Sequence, residues 1–116
     1  MKITRVYADE RGESHFADLD IELKDAGLIG HLSEPIAATS VIFRRNDPVY
    51  DYDWHVAPRR QFVVLLDGAI EIEVSDGERR TLRGPEILLV EDTTGRGHRS
   101  RHLEPRERSS LFITLD

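Results

Sequence analysis

The sequence predicts an all-β domain, and three observations carry that prediction. Apolar residues recur with a period near two in several short runs. No stretch sustains the three-to-four spacing over about ten residues that a helix requires. Clusters of Gly, Asp, Ser, Thr and Pro punctuate the runs at spacings of roughly ten residues, the rhythm of a sandwich or barrel.

From the N-terminus, residues His15 to Leu23 (HFADLDIEL) alternate, with Phe16, Leu19, Ile21 and Leu23 apolar, and read as an edge strand open to exchange with a partner chain. The overlapping stretch Leu23 to Ile29 reads alternatively as a helical turn. The next strand is Ala37 to Arg44 (AATSVIFR), followed by Gln61 to Leu66 (QFVVLL), Ala69 to Val74 (AIEIEV), Glu86 to Val90 (EILLV) and Ser110 to Leu115 (SLFITL). In AIEIEV, Ile70, Ile72 and Val74 share one face and Glu71 and Glu73 the other, so this strand has one wet side. QFVVLL and EILLV lack that alternation and are expected to be covered on both faces. Asp67-Gly68, Ser75-Asp76-Gly77-Glu78, Arg83-Gly84-Pro85 and Thr94-Gly95-Arg96-Gly97 supply turn residues between them.

Composition narrows the function classes. A chain of 116 residues fits one domain, 1–116, with one core. It is 39% hydrophobic and 33% charged, with no apolar run of membrane-spanning length, so no membrane partner is expected. The first residues lack the apolar core of a secretory signal, which makes the cytoplasm the expected location. The absence of cysteine excludes disulfides, thiolate nucleophiles and iron–sulfur or zinc-thiolate sites. Sixteen Lys and Arg against 22 Asp and Glu give a net charge of −6, and the basic pairs are interleaved with acids, so nucleic acid is not an expected partner. No Gly-x-Ser-x-Gly elbow and no Walker-type glycine loop is present.

The stretch Asp53 to Gly68 (DWHVAPRRQFVVLLDG) resembles the first motif of the cupin superfamily, His-x-His, three or four residues, Glu, six residues, Gly. His55 falls on the first His, Ala57 on the second, Gln61 on the Glu and Gly68 on the Gly. The second motif, Gly-x5-Pro-x-Gly-x2-His-x3-Asn, is matched by Gly84, Thr93 in place of Pro, Gly95, His98, and His102 in place of Asn, with three extra residues between Gly84 and Thr93. The resemblance spans residues 53 to 102 and implies a cupin jelly-roll β-barrel of two antiparallel sheets holding a ligand or metal at its open end. It also points to a homodimer, as does an open edge strand near residues 15 to 23.

Carried over residue by residue, the family's metal ligands become His55, His98 and Gln61, with one imidazole lost at Ala57. An amide oxygen brings no charge to a divalent Fe, Zn, Ni or Mn ion, so the set would be completed by His102 or by a carboxylate from Glu91 or Asp92. Glu91 and Asp92 are also candidates for a general base beside His98, or for a turn that caps its own backbone. Arg59 shares a face with Gln61 if the strand is unbroken past Pro58, which makes it the candidate clamp for a substrate anion. Trp54 is a candidate aromatic wall, although a single Trp in a small protein serves packing equally well. Two function classes follow: a small-molecule enzyme with a divalent metal (oxygenase, isomerase or lyase), or a metal-free module that binds a small acid or sugar as sensor or accessory protein. Which of Trp54, His55 and Val56 faces inward is open at this level.

Overall fold

In the computed structural model, which describes residues 1–116, the chain is all-β. Twelve strands follow one another: β1 (Lys2–Ala8), β2 (Ser14–Asp20), β3 (Lys24–Asp25), β4 (His31–Leu32), β5 (Ser40–Asn46), β6 (Asp51–His55), β7 (Gln61–Leu65), β8 (Ala69–Val74), β9 (Arg79–Arg83), β10 (Ile87–Val90), β11 (His98–His102) and β12 (Arg108–Thr114). A single 3-10 turn, Gly27–Ile29, lies inside the stretch that reads as a helical turn. No helix is long and apolar enough to cross a membrane.

The strands form a six-stranded sheet in the order β2-β1-β10-β7-β12-β5, a four-stranded antiparallel sheet in the order β6-β11-β8-β9, and the separate hairpin β3-β4. The large sheet is mixed, because β1 runs parallel to β10 while its other pairs are antiparallel. One cluster of eleven buried apolar residues joins the two main sheets, with Val6, Val63, Leu65, Leu88 and Val90 from one and Ile70, Ile72, Val74 and Leu82 from the other. The inward isoleucines of AIEIEV are 4% and 2% exposed, and burial of this kind stabilises by roughly 1.5–3 kcal/mol per side chain.

Several boundaries differ from the sequence reading. The strand expected at Ala37 begins at Ser40, and residues 33–39 form an exposed connection. The last strand begins two residues earlier than expected, at Arg108, whose Nη2 donates to Asn46 Oδ1 across β5 at 2.7 Å. β1, β6, β9 and β11 carry too many polar and charged residues to show an apolar period and were not expected as strands. Their backbones are nevertheless drawn into the ladders, β1 and β9 through hairpins with β2 and β8, and β1, β6 and β11 by pairing with strands far away in sequence.

The expected cover on both faces is largely supplied for β10, where Leu88, Leu89 and Val90 are all buried, but only half supplied for β7. Gln61, Val63 and Leu65 are buried inward, whereas Phe62 and Val64 are partly exposed on the outer face. The register aligns two outer rows across four strands, Phe43-Leu111-Val64-Ile87 and Val41-Ile113-Phe62-Leu89. These rows run out to β5, an open edge where Phe43 is 82% exposed. β2, the edge strand anticipated from residues 15 to 23, holds the opposite edge.

Candidate functional site

Between the two sheets lies a cavity of about 260 Å³. Its floor is apolar, built from Val63, Leu65, Ile70, Ile72, Leu88 and Val90, the inward positions of β7, β8 and β10. Polar groups come from the strands around it: Arg44, Tyr50, Tyr52, His55, Gln61, His98 and Ser100. A mostly apolar chamber with a few convergent polar side chains is the usual form of a small-molecule site.

His55 and His98 meet because β6 and β11 pair antiparallel with these two residues as direct partners. Their rings lie 4.5 Å apart between centroids, inclined at 59°. The pairing advances two residues on β11, from His98 to Ser100, while it advances three on β6, from His55 to Tyr52. This bulge brings Tyr52 and His55 to the cavity side together, although strict alternation would separate them. Tyr52 stacks on the His55 ring at 3.6 Å and 16°. Trp54 is thrown outward, 42% exposed and outside the cavity lining, whereas His55 and Val56 line it.

Each imidazole is oriented through Nδ1. His55 Nδ1–H donates to the Asp53 carbonyl at 2.7 Å, and His98 Nδ1 is 2.6 Å from Asp92 Oδ2. Asp92 is fully buried and its Oδ1 has no partner, so the carboxylate serves His98 alone. Neither His55 nor His98 has an Nε2 hydrogen bond within the chain. Burial pushes the His55 pKa below its ordinary value, and the neighbouring His98 adds to that against the bond to Asp53. The strands approach this closely because Gly97, at φ 74°, precedes His98 where any Cβ would collide with the His55 backbone.

The remaining candidates are dispersed. Gln61 is buried, lines the cavity and makes no side-chain hydrogen bond within the chain. Glu91 turns away and is clamped by Arg5 Nε at 2.5 Å and Arg60 Nε at 2.8 Å. Burial would raise its pKa, but the bonds and charges of these two arginines outweigh that and hold it below the ordinary value. Arg59 is exposed and outside the cavity lining, since the chain breaks at Pro58 before β7 begins. His102 lies on the same face of β11 as His98, roughly 13 Å along the strand, edge-on to Tyr50 at 5.4 Å. Arg44, Tyr50, Tyr52 and Ser100 line the cavity without having been singled out by the sequence. Arg44 sat at the end of a predicted strand, where adjacent Arg45 left no way to say which of the two turned inward.

Two imidazoles and the Gln61 amide converge, but no cluster of three His, Asp or Glu side chains is present. Asp92 is committed to His98, Glu91 to two arginines, and His102 stands at the other end of β11. The residues therefore do not supply the anionic or third imidazole ligand that a divalent ion prefers.

No protein-family model matches the chain, and no curated protein matches it in sequence. Among solved structures, it is similar to protein NMB1881 from Neisseria meningitidis, with 22% identity, TM-score 0.47, and coverage of 72% of this chain and 81% of that one. It is also similar to the capsular polysaccharide assembling protein CapF from Staphylococcus aureus, with 12% identity and TM-score 0.47, over 84% of this chain and 29% of CapF.

Proposed function

We propose that this protein is a small-molecule-binding module of the cupin jelly-roll type, whose cavity works without a metal and whose recognition head is the Asp92–His98 pair together with His55. The observation that carries this reading is the geometry of the head. Two imidazoles that line a mostly apolar chamber are fixed through Nδ1 and leave Nε2 without a partner in the chain, and the only carboxylate bonded to them is spent in orienting His98. Such a pair accepts a hydrogen bond or proton from a ligand hydroxyl or acid, the role that a carboxylate-backed histidine performs in general base chemistry. A chamber of about 260 Å³ sits just under the roughly 300–1,000 Å³ of drug-sized pockets, which suits a metabolite-sized occupant.

The second reading, a metal-dependent oxygenase, isomerase or lyase, draws on one feature of the same head. Histidine ligands usually donate their other ring N–H to a carboxylate or carbonyl, as both imidazoles do here. Elemental analysis of untagged protein and of a His55→Ala, His98→Ala double variant separates the two. Metal far below one per chain, with ligand-induced thermal stabilisation that a chelator leaves intact, is the expected result. Fe, Zn, Ni or Mn near one per chain, lost in the double variant, would replace this reading with the metal enzyme.

The macromolecular partner we propose is a second copy of the chain. The two outer rows on β5, β12, β7 and β10 contain no charged residue, and they continue to the unpaired edge of β5. A two-fold axis would bring the same rows together on both copies and cover the face that the apolar runs of β7 and β10 call for.

A further inference from the structure

Two guanidinium groups, Arg44 in the cavity wall and Arg108 behind it, have no hydrogen-bonded carboxylate. Arg44 stands opposite Ser110 and Arg108 opposite Asn46, so the two cations are diagonal neighbours on the inner faces of β5 and β12. Their protein partners are neutral: Arg44 Nε donates to Ser110 Oγ at 3.1 Å and Arg108 Nη2 to Asn46 Oδ1 at 2.7 Å. Arg108 is 1% exposed, and its Nε and Nη1 have no partner at all. Both guanidinium carbons lie against the Tyr50 ring, at 5.8 and 5.7 Å from its centroid. The third basic group beside Tyr50, His102, has a buried Nε2 that is also unpartnered. Elsewhere in the molecule arginines meet carboxylates, as in Arg80–Asp18 and Arg101–Glu71.

Buried charge without a partner is costly, and two like charges side by side compound the cost. Burial lowers the pKa of both arginines, and the charge of Arg44 lowers that of Arg108 further, against a weaker pull from Asp67, which makes no hydrogen bond to it. An arrangement of this kind is relieved by an anion supplied from outside the chain. Arg44 is the member that lines the cavity, where its partners besides Ser110 are the Tyr50 side chain and the Phe112 ring, whose centroid is 4.5 Å from its guanidinium carbon, and none of them carries a negative charge.

We infer that the cavity's ligand is a small organic carboxylate. Its carboxylate docks on the free edge of Arg44 with the positive charge of Arg108 behind it, and its apolar body lies over Val63, Leu65 and Ile72 toward His55 and His98. A planar guanidinium edge pairs with a carboxylate through two parallel hydrogen bonds. The largely apolar floor suits an aliphatic or aromatic body rather than a polyol. This inference deepens the metal-free binding reading given above and rests on it.

The test uses the full chain in the presence of a chelator and three probes that share one alkyl chain: hexanoate, hexanamide and hexyl phosphate. Affinity is read by titration calorimetry, and entry into the cavity by the imidazole NMR signals of His55 and His98. Hexanoate is expected to bind about tenfold or more tightly than hexanamide, as one charge-assisted pair predicts. Arg44→Gln should abolish that preference, and Arg44→Lys should restore part of it. Equal affinity for hexanoate and hexanamide, with both shifting the imidazole signals, would overturn the carboxylate site while leaving the binding reading intact. A preference that survives Arg44→Gln would overturn it as well, as would hexyl phosphate binding more tightly than hexanoate. If no probe shifts the imidazoles, the binding reading and the inference fail together. The comparison of hexanoate with hexanamide on the unaltered protein requires no variant to fold.

Discussion

Gly97 permits the contact on which the candidate site depends, and its replacement by alanine tests the site's construction. At φ 74° an alanine is strained, which costs about 1 kcal/mol. Its Cβ would lie 2.5 Å from the His55 carbonyl carbon and 2.9 Å from the Val56 nitrogen. Backbone cannot swing aside as a flexible side chain does, so β6 and β11 must part, at a further cost of about 1–3 kcal/mol by analogy with overpacked cores. Gly77 is a matched control: it is also left-handed, at φ 99°, but a Cβ there meets nothing within 4 Å. Gly97→Ala should therefore destabilise by about 3 kcal/mol and Gly77→Ala by about 1 kcal/mol, a difference of roughly 1 M or more in urea midpoint. The same Gly97 variant should change the His55 and His98 ring signals, while Gly77→Ala leaves them in place. Equal losses in the two variants, or unchanged imidazole signals in Gly97→Ala, would refute the claim that this close approach builds the imidazole pair.

Four further outcomes are expected. Asp92→Ala leaves His98 Nδ1–H buried without an acceptor and should cost about 3 kcal/mol, whereas Asp92→Asn keeps an acceptor and should cost about 1.5 kcal/mol or less; equal urea midpoints would contradict this. His15 lies between Asp9 at 2.7 Å and Asp76 at 2.8 Å, and its bonds to these carboxylates raise its pKa. Its stabilisation is thus complete below about pH 6.5 and lost as pH rises through the higher folded value, so His15→Gln should lose more stability at about pH 5.5 than at about pH 8.5, and the reverse order would refute the assignment. His55 works in the opposite sense, since its lowered pKa makes folding oppose protonation, and its contribution weakens as pH falls below about 6.5. Phe43→Glu on the exposed outer row should convert a dimer to a monomer in light scattering with little change in fold; a monomeric parent protein would end the dimer proposal.

How much of this was legible in advance depended on the range of the interaction involved. Alternation in AIEIEV and the doubly apolar runs QFVVLL and EILLV are local records of which faces meet oil and which meet water, so β7, β8 and β10 could be read almost to the residue. The turn Ser75-Asp76-Gly77-Glu78 was equally legible, because its angles and the hydrogen bond that Glu78 N–H donates to Asp76 Oδ1 are set within four residues. β6 and β11 were not legible: their side chains are largely polar, and what makes them strands is a ladder partner distant in sequence.

The site divides along the same line. The resemblance of two segments to the cupin motifs singled out His55, Gln61 and His98, and these three do line one cavity. The tertiary structure alone decided the rest. The bulge in β6 turned Trp54 out and Tyr52 in, because one extra residue reverses every side chain beyond it. The break at Pro58 left Arg59 in solvent. Asp92 and Glu91, adjacent in sequence and equivalent in chemistry, part just beyond the end of β10, one buried against His98 and the other held by Arg5 and Arg60. Arg44 and Arg108 became neighbours only through the register of β5 on β12, which no local pattern encodes. Residue chemistry and hydrophobic period are written in the chain, whereas which side chains converge is set by pairings across the fold.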